Sequence, residues 1–224
     1  MATTRYRYPA ISVDVVIFTL YEDDLQVLLV QRRHSPFARH WAIPGGFVEA
    51  GESLDAAARR ELKEETGVRQ VYLEQLYTFG DPKRDPRGRV VTVAYLALVP
   101  APLAIRAGDD ASDARWWSVY QLPPLAFDHA KIIKYALQRL RYKLEYTAAG
   151  FQLLPPSFTL TEIQLAYQIV LGVPLDKRNF RRRIAEAGIL EETGALTMSR
   201  GRPAKLYRFR EDAVAEVKAR RLFP

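Results

Sequence analysis

The chain has 224 residues, of which 48% are hydrophobic, and it contains no cysteine. This length suits one large domain or two small ones, and the apolar share is sufficient to form hydrophobic cores. The absence of cysteine excludes disulfides and thiolate metal sites, which is compatible with a reducing cytosol. The N-terminus lacks the apolar run of a signal peptide, and no segment approaches the roughly 20 apolar residues of a membrane span. We therefore expect a soluble, cytoplasmic protein without a membrane partner.

The formal net charge of +7 is unevenly distributed along the chain. Residues 150–224 hold 13 of the 33 Lys and Arg but 8 of the 26 Asp and Glu, so this part carries a net charge of +5 and residues 1–149 carry +2. A concentrated positive charge favours a polyanionic partner. The stretch Ala148-Ala149-Gly150 and the following Pro155-Pro156 indicate a boundary, which predicts domains at 1–149 and 150–224.

The first domain shows strand patterns and two helix patterns. Val- and Ile-rich or alternating runs predict strands, and runs at helical spacing behind Ser53 and Asp128, which are suitable N-caps, predict helices. The predicted strands are Ile11–Tyr21, Leu25–Arg33, Phe47–Val48, Val71–Phe79, Val90–Val99 and Ala114–Trp117, and the predicted helices are Leu54–Thr66 and Phe127–Tyr146.

The second domain reads as a helix-turn-helix followed by a hairpin. Helical spacing runs over Thr159–Leu171, is broken at Gly172 and Pro174, and resumes after Asp176 up to Gly188. Two helices joined by a short turn that contains Gly are typical of the helix-turn-helix. Leu196–Phe209 follows as two short strand-like runs around SRGRP, which predicts a wing, and Asp212–Arg220 as a last helix.

The helix predicted at Leu54–Thr66 has an unusual inward face. Its apolar stripe begins with Leu54 and Ala57 and continues, along the same face, into Glu61, Glu64 and Glu65. Like charges on one face and anions near the negative end of a helix are unfavourable, and a bound Mg²⁺ or Mn²⁺ would remove both conflicts. The alternative is a solvated acidic helix end.

The residues around this helix resemble the Nudix box, GX5EX7REUXEEXGU, without any departure. The matching residues are Gly46, Glu52, Arg60, Glu61, Leu62, Glu64, Glu65, Gly67 and Val68. The resemblance implies an α+β chain whose first domain is a Nudix αβα sandwich, and hydrolysis of a nucleoside diphosphate linked to another moiety.

The same resemblance implies roles for individual residues. Glu61, Glu64 and Glu65 would hold the metal together with the backbone carbonyl of Gly45, and Glu52 would pair with Arg60 to hold the loop against the helix. The candidate catalytic residues are therefore Glu52, Arg60, Glu64 and Glu65. The general base stays open: Glu52 serves only if it is not locked to Arg60, and the loop acids Asp109, Asp110 and Asp113 are the other candidates.

The second helix of the helix-turn-helix predicts DNA binding. Phe180, Ile184 and Ala187 share one face, so Arg178, Arg181 and Arg182 point away from the core and Asn179 flanks them. Arginine pairs with guanine and asparagine with adenine in the major groove. Arg200, Arg202 and Lys205 of the wing would add backbone or minor-groove contacts. The alternative is an arginine-rich solvated helix in a small packing domain.

As a whole, the chain resembles the Nudix-related transcriptional regulators of NAD metabolism, on the evidence of the complete box followed by PLDKRNFRRRIAEAGIL and GRPAKLYRF. The resemblance implies a homodimeric repressor that binds ADP-ribose and controls genes of NAD biosynthesis or salvage. Two alternatives stay open. The intact box leaves room for Mg²⁺-dependent ADP-ribose pyrophosphatase activity, alone or beside regulation, and a related group of regulators senses arabinose.

Basic and aromatic residues near the box are the candidates for ligand binding. The basic candidates for a diphosphate are Arg32, Arg39, Lys83, Arg84 and Arg89. The aromatic candidates for stacking on adenine are Phe79, Phe37, Trp41 and Tyr77. His34, His40 and His129 lack the spacing of metal ligands, so we interpret them as structural.

Overall fold

The computed structural model describes residues 8–66, 71–100, 111–146, 153–197 and 203–210, without the side chains of residues 65, 66, 111, 112, 145 and 146. The predicted boundary at 149/150 and the predicted helix Asp212–Arg220 lie outside these ranges. No helix in them is long and apolar enough to cross a membrane.

Seven described strands form one sheet. Their bounds are β1 Ala10–Tyr21, β2 Asp24–Arg32, β3 Trp41–Ala42, β4 Gly45–Phe47, β5 Tyr72–Phe79, β6 Val90–Val99 and β7 Ala111–Ser118. The order β3-β2-β1-β6-β5 forms the main path, while β4 pairs with β1 and β7 pairs with β2. β1, β2 and β6 are mostly buried, which explains their nearly continuous Val, Ile and Leu runs.

Helix α1, Leu54–Thr66, begins and packs as its sequence predicts. The Ser53 hydroxyl accepts a hydrogen bond from the Ala56 amide at 3.2 Å, which caps the first turn. Ala57 and Leu62 are buried on the inner face. Asp55 accepts a hydrogen bond of 2.7 Å from the Tyr95 hydroxyl of β6, so the first turn of α1 is attached to the sheet.

Three predicted bounds in this unit were wrong. β4 begins at Gly45, two residues before the predicted strand at Phe47, because Gly45 pairs with Asp14 of β1 and belongs to the ladder. Helix α2, His129–Tyr146, begins two residues later than predicted because Phe127 has a φ of +51°, which no right-handed helix accepts. β7 also begins earlier, at Ala111, because it pairs with β2.

The C-terminal elements form a winged helix-turn-helix. They are α3 Leu160–Leu171, α4 Lys177–Ala187, β8 Leu190–Leu196 and β9 Lys205–Phe209. Thr159 and Glu162 form a capping box at the start of α3, and Asp176 caps α4. The Tyr167 and Phe180 rings meet edge to face at 5.5 Å, which joins the two helices.

The first strand of the wing was predicted too late in the chain. It covers Leu190–Leu196, whereas the predicted hairpin began at Leu196. The polar sequence of β8 gives little local strand signal. The strand is defined by its antiparallel ladder with β9, in which Leu190 lies opposite Phe209. The exposed ion pairs of Glu191 with Arg208 at 2.6 Å and of Glu192 with Lys205 at 2.9 Å add little to it.

The chain divides into two compact units, and α2 contributes to both. His129–Lys134 belongs to the first unit with most of the sheet, and the remaining turns of α2 belong to the second unit with the winged helix. Within the second unit, Arg141 of α2 donates a hydrogen bond from Nε to the Val170 carbonyl at 2.8 Å. This carbonyl lies in the last turn of α3, where a cation is favourable.

We expect Thr159→Ala to weaken the start of α3. The Thr159 hydroxyl accepts from the Glu162 amide at 3.2 Å, and losing such a cap costs about 1 kcal/mol. Amide hydrogen exchange in the first turn of α3 should show a fall in opening free energy of that size. Ser157→Ala, at a neighbouring exposed side chain, is the control. Equal protection in both variants would contradict the capping role.

Candidate functional site

A cleft of about 840 Å³ lies in the first compact unit. Residues of β1, β2, β4, α1, the loop of residues 80–89 and the start of α2 line it. The lining includes Asp14, Gly45, Glu61, Arg84 and His129. The cleft is therefore predominantly polar and contains both signs of charge.

Arg60 connects the acids of the box. Its Nη2 lies 2.8 Å from Oε1 of Glu52, and its Nη1 lies 2.7 Å from Oε1 of Glu61. A longer contact of 3.4 Å joins Nη1 to Glu64, and Nη2 also donates to the Phe47 carbonyl at 3.3 Å. One guanidinium thus holds three carboxylates and the end of β4 together.

The pKa values of Glu52 and Glu61, the two carboxylates closest to Arg60, shift in opposite directions. The hydrogen bond from Arg60 holds the pKa of Glu52 below its usual value, and the Glu49 amide acts in the same direction. Burial raises the pKa of Glu61 by more than Arg60 lowers it. Both pairings raise the pKa of Arg60. Glu52 is held in an ion pair with Arg60. It was a candidate general base only if it were free of this pair, and in the structure it is not.

The glycines of β4 bring the backbone close to this cluster. A Cβ at Gly46 would overlap Oε1 of Glu61, and a Cβ at Gly45 would overlap the Val13 carbonyl oxygen. At position 45 only glycine fits, because the neighbouring atom is backbone, whereas a side chain at position 46 would have to move the Glu61 carboxylate that Arg60 holds. The Gly-Gly pair therefore lets β4 lie directly against both β1 and the buried carboxylate of α1.

A second buried network supports another part of the cleft. Arg84, whose side chain is 4% exposed, binds Asp128 at 2.9 Å and Asp14 at 3.3 Å. Nδ1 of His129 accepts from the Ile43 amide at 2.9 Å, so the proton of the neutral ring lies on Nε2, which lies 3.7 Å from Asp14. Burial lowers the pKa of His129 and keeps the ring neutral. These contacts attach the 80–89 loop to β1 and α2.

The structure brings some of the proposed ligand residues to the cleft and leaves others outside. Arg32 and Arg84 line it, although the Arg84 guanidinium is already bound by two carboxylates. Of the described residues, Arg39, Lys83, Arg89 and Phe79 are outside the lining. Arg89 donates to the Gly80 carbonyl at 2.7 Å.

Other proposed residues take part in contacts elsewhere or lie beyond the described ranges. Phe79 packs edge to face on Tyr77 at 5.3 Å, and Trp41 packs on Trp117 at 5.2 Å. Asp113 binds Arg115 at 2.6 Å. The side chain of Glu65 and the residues Asp109, Asp110, Arg200 and Arg202 lie outside the described part.

Sequence reasoning missed several residues that line the cleft, among them Phe47, Arg87 and Phe127. Phe47 directly follows the Gly-Gly pair, and Phe127 directly precedes the residue at the N-cap position of α2. A large aromatic residue beside such positions is the signal that could have found them, but only the fold shows that they meet.

On the winged helix, the polar face of α4 is exposed as its periodicity predicts. Arg178, Asn179, Arg181 and Arg182 are all exposed, while Phe180 and Ile184 are buried. Arg182 binds Glu186 at 3.1 Å and Asn179 at 2.9 Å. Arg178 and Arg181 make no ion pair with any described residue.

The sheet, the box and the winged helix together define a Nudix domain fused to a DNA-binding domain. Residues 11–136 match the model of the NUDIX domain, and residues 150–209 match the NrtR DNA-binding winged helix domain. The chain belongs to the Nudix family and, within it, to the NrtR group.

Similar proteins carry both parts. The "ADPR responsive transcriptional repressor NtrR" of Acinetobacter baylyi is 44% identical over 208 residues, which is 91% of this chain and 83% of that protein. NrtR of Shewanella oneidensis, solved with a 27mer DNA, has a TM-score of 0.80 at 41% identity and covers 95% of this chain and 99% of its own.

Two further comparisons concern the Nudix domain. The Nudix domain of the Shewanella protein, solved with ADP ribose, has a TM-score of 0.56 at 41% identity over 62% of this chain and 94% of its own. The "ADP-ribose pyrophosphatase" of Methanocaldococcus jannaschii is 43% identical over 129 residues, which is 58% of this chain and 73% of that protein.

We expect Gly46→Ala to destabilise the protein because the new methyl group must displace the buried Glu61 carboxylate. Overpacking of this kind costs about 1–3 kcal/mol, and the melting temperature should fall by roughly 3–9 °C. Gly80→Ala is the control, since its Cβ would lie at an ordinary 3.6 Å from Val91. Equal melting temperatures for the two variants would contradict the close approach.

Proposed function

We propose that this chain is a transcriptional repressor whose DNA affinity responds to ADP-ribose bound in the Nudix cleft. The observation that carries the proposal is the exposed arginine face of α4 on a winged helix, joined in one chain to a complete Nudix box. The relatives that share both parts include a protein named as an ADPR-responsive repressor and one solved with DNA.

The DNA-binding surface centres on α4. Arg178 and Arg181 have no ion-pair partner in the described chain, so their guanidinium donors are available to guanine edges and phosphates. Lys205 pairs with Glu192 in the wing, so a phosphate would have to compete for its charge. Arg200 and Arg202 remain proposed wing contacts.

The carboxylate cluster supports a divalent metal at the cleft. Glu61 is nearly buried, its side chain being 10% exposed, and it shares one guanidinium with Glu64. No group of three acids or histidines among the described side chains forms a metal site by itself. With Glu65 and the Gly45 carbonyl added, the donors are the oxygens that Mg²⁺ or Mn²⁺ prefers. The metal would supply charge neutralisation for the diphosphate.

Regulation requires the ligand to discriminate between two states of the protein. ADP-ribose changes DNA affinity only if it binds one arrangement of the DNA-binding domains more tightly than the other. A homodimer with two recognition helices would read two half-sites of an operator. ADP-ribose is what remains of NAD after the nicotinamide leaves, so NAD biosynthesis or salvage genes are the proposed targets. Arabinose stays the alternative ligand.

We expect Arg178→Ala combined with Arg181→Ala to weaken operator binding. Each good base contact contributes about 1–3 kcal/mol, so the loss should be roughly 30-fold or more in a mobility-shift titration. ADP-ribose affinity should not change. The control, Lys131→Ala with Lys134→Ala, removes the same charge from exposed lysines of α2. Unaltered operator affinity in the α4 variant would count against the repressor.

A second function, ADP-ribose hydrolysis, is favoured by the intact box and by the similarity to a pyrophosphatase. In this case Arg60 keeps Glu52 and Glu61 in place, and the cleft orients the diphosphate. Hydrolysis and regulation can coexist in one chain, with the turnover number deciding how long the ligand signal lasts.

We expect Glu64→Gln to abolish any Mg²⁺-dependent release of AMP and ribose 5-phosphate from ADP-ribose. Removing one group that stabilises transition-state charge costs roughly 100-fold or more in rate. Glu49→Gln is the matched control, since Glu49 is exposed and outside the cleft lining. Product analysis by chromatography measures both variants. Turnover by Glu64→Gln at the wild-type rate would exclude the box as the catalytic centre.

A further inference from the structure

Phe47, Arg87 and Phe127 form a cluster on the wall of the cleft that neither the carboxylate site nor the DNA-binding surface requires. The Arg87 guanidinium carbon lies 5.4 Å from the centre of the Phe47 ring and 5.5 Å from the centre of the Phe127 ring. One planar cation therefore contacts two aromatic rings that come from different elements, β4 and the segment before α2.

The position of Arg87 is fixed by a buried acid. Asp85, whose side chain is 2% exposed, accepts hydrogen bonds from Nη2 at 2.7 Å and from Nε at 3.0 Å of Arg87. Two parallel bonds of this kind fix the plane of the guanidinium as well as its place. The same loop is attached to β1 and α2 through Arg84.

The two aromatic residues are held in states that cost free energy. Phe47 is 48% exposed although it belongs to β4, where it pairs with Ser12 of β1. Phe127 has a φ of +51°, and bulky residues rarely adopt this left-handed conformation. Exposed apolar rings and local strain of this kind concentrate at binding sites.

The chemistry of the cluster fits a planar aromatic ligand group. Purine bases stack on phenylalanine rings and on guanidinium planes. Phe47 is also adjacent to the diphosphate side of the cleft, because its carbonyl accepts from Arg60, the residue that holds Glu52 and Glu61. One nucleotide could therefore contact the Phe47 ring with its base and the carboxylate site with its diphosphate.

We propose that Phe47, Arg87 and Phe127 form the nucleobase subsite of the cleft, in which the base stacks on the Phe47 ring. This inference rests on the proposed function and specifies how the ligand is recognised. It differs from the aromatic candidates suggested by sequence, all of which are outside the cleft lining. Tyr77 and Phe79 pack on each other, Trp41 packs on Trp117, and Phe37 packs on the Phe127 ring at 4.9 Å.

The test uses 1,N6-etheno-ADP-ribose and the full-length protein. Stacking on an aromatic ring quenches etheno-adenine fluorescence, so the signal reports the base itself. Phe47→Ala should lose the quenching and weaken binding roughly 5- to 150-fold, the range found for removal of one base-stacking aromatic. Arg87→Ala should weaken binding in the same direction, and Phe47→Tyr should restore both quenching and affinity.

The controls separate base recognition from general damage. Tyr120→Ala removes an exposed aromatic ring and Arg59→Ala removes an exposed guanidinium, and neither residue lines the cleft. Both should bind like the wild type. Competition by inorganic pyrophosphate, which has no base, should be equal in Phe47→Ala and wild type.

The outcomes also separate this inference from the proposed function. If the wild type quenches the probe and Phe47→Ala shows the same quenching and the same affinity, the subsite is overturned and the ADP-ribose response stands. Loss of pyrophosphate competition in Phe47→Ala would assign the residue to the shape of the diphosphate site and overturn its role in base recognition. No binding of the probe by the wild type would overturn both proposals.

Discussion

The guanidinium of Arg60 is the constraint on which the cleft depends. Its five N–H donors make five hydrogen bonds, to Glu52, Glu61, Glu64 and the Phe47 carbonyl. Each acceptor comes from β4, from α1 or from the loop of residues 48–53 between them, so one side chain sets the distances between three segments. Without this cation, three carboxylates would repel each other beside a largely buried Glu61.

Arg84 has the corresponding role at the other acids of the cleft. Buried between Asp14 and Asp128, it joins β1, the 80–89 loop and the start of α2. Removing one partner from a buried ion pair is far more costly than losing an exposed one. The ion pairs of the wing, such as Arg208 with Glu191, are exposed at the surface and contribute little. The cleft is thus rigidly built, whereas the DNA-facing surface keeps charges available.

What the sequence could predict depended on whether the signal was local. The Ser53 cap, the apolar stripe and Gly67 set the bounds predicted for α1, and the structure places the helix at Leu54–Thr66. Arginines of the 80–89 loop could not be sorted in this way. Arg84, Arg87 and Arg89 occupy the same polar run, yet one is buried, one stacks on phenylalanines and one binds a backbone carbonyl. Only long-range packing distinguishes them. The start of β8 was predicted wrongly for the same reason. This strand is defined by its pairing with β9, which the residues of β8 do not indicate by themselves.

Helix α2 takes part in the packing of both compact units. Its first turns belong to the first unit, where Asp128, the residue before the helix, binds the buried Arg84 and His129 lines the cleft. Its later turns belong to the second unit, where Arg141 donates to the Val170 carbonyl of α3. A proline in the middle of this one helix would remove an i→i−4 hydrogen bond and would disturb elements of both units at once.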